Sequence, residues 1–146
     1  RYGNKGDISR GASPGNRFEP GKKPMSTMAP TIIFDENNEL FLITGSPGGS
    51  DIPAAILRVI TGVIDFDLDI GEATMLPRIH KDWPYVGLEH ERAVSRDIVR
   101  RLKSMGHKTE YENTIGSTQS IHVINGTNYG FADLRRPNAG VSVQTN

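Results

Sequence analysis

Cysteine is absent from all 146 residues. That removes disulfides, thiol nucleophiles and cysteine-ligated metal centres at once. An excess of either charge is also missing, because 17 Lys and Arg balance 17 Asp and Glu. Nucleic-acid binding draws on a basic surplus to neutralise phosphates, and this chain has no such motive for it. No apolar run approaches the roughly 20 residues that carry a helix across a bilayer. An initiator Met and a signal-peptide pattern are lacking too: the chain begins at Arg1, as expected of a fragment or a processed chain. What remains is the composition of a globular protein, 36% hydrophobic and 23% charged, in a length that suits one domain with a real core.

Glycine and proline are unevenly spread. Gly3, Gly6, Gly11, Gly15, Gly21, Pro14, Pro20 and Pro24 crowd the first 24 residues, where apolar side chains are few. Residues 1–24 are therefore expected to form an extended arm that depends on other structure for its order, and residues 25–146 a single folded portion. From Thr31 the pattern changes. Thr31-Ile32-Ile33-Phe34 and Leu40-Phe41-Leu42-Ile43-Thr44 flank the polar cluster Asp35-Glu36-Asn37-Asn38, which reads as a β-hairpin. Both strands are apolar at successive positions, the pattern of a sheet covered on both faces.

After Gly45-Ser46-Pro47-Gly48-Gly49-Ser50, the residues Ile52, Ala55, Ile56, Val59, Ile60, Val63 and Ile64 fall on one helical face. Ser50 or Asp51 can cap that helix, and Pro53 fits its first turn. A short helical turn is predicted around residues 71–75. A further helix is predicted from Ser95 to Met105, with Ile98, Val99, Leu102 and Met105 as its stripe and Gly106 as its stop. Residues 119–124 and 129–132 read as strands joined through Asn125-Gly126, a strong hairpin signal. Strand pairs at both ends with helices between them favour an α+β class over a doubly wound parallel sheet.

Five features invite chemistry. Adjacent glycines at Gly48 and Gly49, between a strand and a helix N-terminus, allow backbone N–H groups to converge on an anion or a developing oxyanion; a sharp turn alone uses the same residues. The stretch is no phosphate loop, since the Lys-Ser/Thr ending and the GxGxxG spacing are missing. Asp65, Asp67 and Asp69 alternate as in a calcium loop, yet Ile70 and Leu76 stand where that loop needs Gly and Glu, so Phe66 and Leu68 read as core contacts. His80, His90, His107 and His122 show no metal-ligand pairing and read as solvated or structural, so no metal ligand is assigned. Ser26-Thr27 places two hydroxyls before a strand, where bonding to local backbone is the ordinary use. The Asn125-Gly126-Thr127 sequon sits on a tight turn and reads as turn chemistry.

The run from Glu19 to Ile32, with Lys23-Pro24-Met25-Ser26-Thr27-Met28-Ala29-Pro30-Thr31-Ile32 at its centre, resembles a block of the γ-glutamyltransferase small subunit. Thr44 to Ser50 resembles that family's glycine turn, and Glu72-Ala73-Thr74-Met75-Leu76-Pro77-Arg78-Ile79-His80 its E-A…P-R-(F/I)-H segment. Gly116-Ser117-Thr118-Gln119-Ser120-Ile121 and Ala132-Asp133-Leu134-Arg135 are similar to its G-S-T-Q-S-I strand and closing A-D-x-R. The blocks keep the family's order and span nearly the whole chain from Glu19 onward. The resemblance implies part of a four-layer αββα N-terminal-nucleophile hydrolase, made as a self-cleaving precursor and working with a large subunit, without a cofactor. A threonine upstream of this chain would attack a γ-glutamyl amide, as in glutathione or poly-γ-glutamate, and pass the acyl group to water or an amine.

By the same resemblance, Gly48 and Gly49 would hold the oxyanion, and Ser26 and Thr27 would bind the α-carboxylate of the γ-glutamyl group. Thr27 departs from the usual Ser there, keeping the hydroxyl and adding a methyl. Asp51 stands where transferases often carry Arg. The chain alone is expected to be inactive, and export to a periplasm or cell surface is implied. Poly-γ-glutamate depolymerases and cephalosporin acylase-like members share the fold and stay open as alternatives, as does a non-catalytic binding domain.

Overall fold

The computed structural model describes residues 19–23, 26–82, 87–142 and 144. The arm expected over residues 1–24 lies outside the described residues except for 19–23.

The first hairpin forms as its sequence predicts. Strands β1 (Thr31–Phe34) and β2 (Leu40–Gly45) pair antiparallel, with a bulge between Ile33 and Phe34. Asp35 closes the turn, its carboxylate accepting from the Asn37 and Glu39 N–H groups. The second hairpin joins β6 (Gln119–Ile124) to β7 (Thr127–Ala132) through Asn125 and Gly126, whose positive φ values of 51° and 75° match the twist of the flanking strands. β6 also pairs with β2, giving an antiparallel sheet in the order β1-β2-β6-β7.

Helices α1 (Ile52–Ile64) and α2 (Ile70–Met75) cover one face of this sheet. Val59, Val63, Ile70 and Ala73 meet Leu42 in the core, with Ile33, Leu68 and Phe131 packed around them. Asp69 is the N-cap of α2 in a capping box: its carboxylate accepts from the Glu72 N–H while the Glu72 side chain receives the Asp69 N–H. The alternating acidic residues thus serve a turn and a cap. Leu68 joins the core as expected, whereas Phe66 is exposed.

Among the described residues, the sheet face away from α1 and α2 is largely open, with Ile32 58% and Ile121 39% exposed. Helix α3 (Arg96–Ser104), capped by the Ser95 hydroxyl accepting from the Ile98 N–H and ended at Gly106, has no buried residue, and its stripe at Ile98 and Met105 faces outward. α3 belongs to a second sheet that the residue pattern did not announce. β3 (Ile79–His80), β4 (Gly87–His90) and β5 (Lys108–Tyr111) lie in that order, β3 antiparallel to β4, with α3 as the crossover between parallel β4 and β5.

Candidate functional site

Strand register places the site. Thr31 at the start of β1 faces Thr44 near the end of β2, Gly45 faces Gln119, and Gln119 faces Ala132. Four segments therefore leave the sheet at one end: residues 26–30, 46–50, 116–118 and 133–135. They carry the Ser26-Thr27 pair, the glycine turn, Gly116-Ser117-Thr118 and Asp133-Leu134-Arg135.

The glycine turn needs its glycines. Gly48 and Gly49 take φ values of 144° and 65°, which L side chains rarely adopt. A Cβ on Gly48 would lie 3.3 Å from Gly116 Cα and 3.4 Å from Asp51 Cβ. Neither amide donates a hydrogen bond to another described residue, and both glycines reach the surface. The turn is gripped from behind: Ser46 Oγ donates to Pro47 O at 2.7 Å and accepts from the Ser117 N–H at 2.9 Å. Gly116, at φ 67°, fits so tightly that a Cβ there would come within 2.7 Å of Ala55 Cβ and 2.8 Å of Ser46 Oγ. Backbone N–H groups that no described residue uses are the donor type an oxyanion site draws on.

Ser26 is exposed, and its Oγ accepts a local bond from the Met28 N–H at 3.2 Å; Thr27 is half-buried. Both emerge at the same sheet end as the glycine turn.

Beneath this surface lies a network of four charged groups, three of them buried and Arg135 half-buried. The Arg78 guanidinium donates to Asp133 Oδ2 at 2.8 Å, to Thr118 Oγ1 and to the Thr74 and Ile115 carbonyls. Arg135 makes two bonds of 2.7 Å to the two Glu91 oxygens and one of 3.2 Å to Asp133 Oδ1. The carboxylates also accept backbone N–H groups, Glu91 from Arg78 and Ile115, Asp133 from Thr118 and Arg135. Burial alone would raise the Glu91 and Asp133 carboxyls, but the arginines and amides outweigh it and hold both below the usual carboxylate range. Arg78 is lowered by burial first and by its neighbour Arg135 second. The resembling segments around Arg78, Gly116 and Asp133 thus meet in one framework. Sequence reading found the segments through resemblance and missed the network that joins them; charged residues inside those motifs were the available signal.

His122 is buried with its ring 4.7 Å edge-on to Phe41, and burial lowers its pKa, which fits a structural histidine. His80 is different. It lies directly across the β3–β4 pair from Glu89, and its Nε2 sits 3.7 Å from Asp51 Oδ1. Burial, reinforced by Asp51 and then by Glu112 and Asp82, raises the Glu89 carboxyl, with His80 opposing.

An antiparallel sheet backed by helices, with amide donors at its loop end, is the α+β architecture of an N-terminal-nucleophile hydrolase portion. The family described as Gamma-glutamyltranspeptidase matches residues 3–143, and the chain belongs to that family. It is 40% identical over 121 residues to a glutathione hydrolase proenzyme of Escherichia coli, covering 82% of this chain and 21% of that protein. A glutathione hydrolase proenzyme of Bacillus subtilis is 35% identical over 131 residues, 88% of this chain and 22% of the relative. The chain thus spans about a fifth of the length of these curated relatives. Among solved structures, the Helicobacter pylori γ-glutamyltranspeptidase T380A mutant superimposes with a TM-score of 0.80 at 36% identity, over 86% of this chain and 69% of the other. A cephalosporin acylase from Bacillus halodurans shares the fold, with a TM-score of 0.79 at 24% identity, over 90% of this chain and 25% of the acylase.

Proposed function

We propose that this chain is the oxyanion-binding and substrate-binding part of an enzyme that cleaves γ-glutamyl amide bonds through a threonine acyl-enzyme. The observation that carries the reading is the pair of amides at Gly48 and Gly49 that no described residue uses, placed at one sheet end with Ser26 and Thr27. The threonine hydroxyl, supplied from outside these residues, adds to the γ-carbonyl while its own α-amine takes the proton. The carbonyl oxygen becomes an oxyanion against the Gly48 and Gly49 N–H groups. Collapse expels the amine with that proton and leaves an ester. Water or an acceptor amine then takes the γ-glutamyl group. Ser26 and Thr27 hold the substrate's α-carboxylate by donating their hydroxyl protons, for which Ser26 keeps its local acceptor role toward Met28.

A large subunit from the same precursor belongs to this reading. Its support is the apolar surface left open: Ile32 on the free sheet face, and an outer groove where Leu57 and Ile98 are 60% and 52% exposed. Exposed apolar surface on that scale marks an interaction site. Export to a periplasm or cell surface is part of the same proposal, tested by cell fractionation.

The test replaces Gly48 in the protein expressed from its complete coding sequence. Gly48→Val is expected to lower turnover of a γ-glutamyl anilide by about 10²–10³-fold while the protein stays folded, the usual loss for one oxyanion donor. Unchanged turnover in a folded variant would favour a binding domain in which the glycines only make a turn. Comparing glutathione, poly-γ-glutamate and a glutaryl amide on the unmodified protein separates transferase, depolymerase and acylase-like donor choice.

A further inference from the structure

We propose that Asp51, His80 and Glu89 form a binding site for a divalent first-row metal ion of the zinc type, beside the glycine turn. Three elements supply the ligands: the turn entering α1, β3 and β4. One ligand atom from each lies within 4.8 Å of the other two. Ligand atoms about 2.0–2.1 Å from a tetrahedral zinc ion stand about 3.3 Å apart, so side-chain rotation closes the remaining gap.

The histidine points to a ligand independently of the carboxylates. Its side chain is 10% exposed, and its Nε2 is buried without a hydrogen-bond partner. A buried imidazole nitrogen left in that state carries a desolvation cost that a metal bond removes. The Asp51 oxygen at 3.7 Å is beyond hydrogen-bond reach but close enough to share an ion. Asp82 and Glu112 add negative potential around Glu89. A cation therefore gains where a fourth carboxylate or a bare histidine would lose. One His nitrogen and two carboxylate oxygens leave a tetrahedral position for water, the donor set of an open site.

Position gives the site its consequence. The Asp51 N–H donates to Gly48 O at 3.3 Å, and a Cβ on Gly48 would lie 3.4 Å from Asp51 Cβ. An ion held by Asp51, His80 and Glu89 ties the glycine turn to the β3–β4 pair and couples the two sheets. Metal binding itself does not depend on Gly48 and Gly49 acting on an oxyanion.

Zinc titration of the chelator-treated protein, expressed from its complete coding sequence, tests this by calorimetry without substrate. His80→Ala and Glu89→Gln are each expected to remove one equivalent of Zn²⁺, or weaken it by more than the roughly 10–100-fold that a supporting partner alone costs. Asp82→Asn, outside the ligand set, keeps that equivalent. Zn²⁺ is also expected to raise the melting temperature of the unmodified protein and not that of Glu89→Gln, which carries the test if His80→Ala fails to fold. Equal Zn²⁺ stoichiometry and equal melting shifts in all folded variants, or no binding at all, would overturn the proposal and leave an ordinary ion pair. Since no substrate is present, the outcome stands apart from that of Gly48→Val.

Discussion

The buried charge network and the glycine turn sit at the same end of one sheet and are built on opposite terms. In the network nearly every donor meets an acceptor: Arg78, Asp133, Arg135 and Glu91 bind one another and the backbone of three further segments. In the turn, the Gly48 and Gly49 amides have no partner among the described residues. One region uses its polarity to fix the chain, and the other leaves backbone polarity unused by the described residues. The framework holds that loop in place. Ser117 and Gly116, which grip the turn from behind, are followed at once by Thr118, whose N–H and hydroxyl both enter the network.

The comparison breaks hardest at Asp133. Asp133→Ala leaves Arg78 buried beside Arg135 with its main counter-charge gone, and loss of one partner from a buried pair costs about 3–5 kcal/mol. Denaturant unfolding should show that loss, and activity should fall with the folded fraction, not through substrate affinity. Gly116→Ala sharpens the contrast because it touches both regions. Its methyl meets Ala55 and Ser46 at a positive φ, so a stability loss of about 1–3 kcal/mol is expected. Turnover should fall further than stability alone explains, since the Ser46 grip on the turn is displaced; kcat measured on folded protein checks this.

The smallest effect near neutral pH concerns Glu91 and Asp133. Both carboxyls lie below their usual range in the folded chain, so their stabilisation is fully present above the unfolded values of about 3.9–4.3. It is lost only as pH falls through the lowered folded values. Thermal stability should therefore show no dependence on these groups from neutral pH to about 4.3, and should erode below that. Asp133→Asn should flatten part of the acid limb.

Legibility in the sequence followed the range of the interactions. α1 was readable because its apolar residues repeat at helical spacing and its first turn carries Pro53. Both hairpins were readable because Asp35 and Asn125-Gly126 state their turns locally. β3 to β5 were not. β3 has two residues, β5 reads Lys-Thr-Glu-Tyr, and β4 and β5 pair only after α3 has crossed between them. The stripe of α3 signalled a helix correctly, but periodicity cannot say what covers it: Val99 and Leu102 are half-buried, while Ile98 and Met105 stay exposed.

The site divided along the same line. Gly48, Gly49, Ser26 and Thr27 came from local pattern and family resemblance. The Arg78–Asp133 bond, 55 residues apart in sequence, and the meeting of Asp51 with His80 and Glu89 come only from folding. Histidine spacing searched along one helix or strand cannot find ligands drawn from three elements.

The pairing of Thr31 with Thr44 acts as a ruler. Ser26-Thr27 and Gly48-Gly49 ride on opposite arms of one hairpin, so the gap between them is counted in residues along two strands. One step is about 3.3 Å. A slip of a single residue would widen or narrow that gap by one step and turn Ile33 and Leu42 out of the core. On the proposed function, in which these hydroxyls and amides hold one substrate, the length of molecule between them depends on the β1–β2 register together with the segments 26–30 and 46–50.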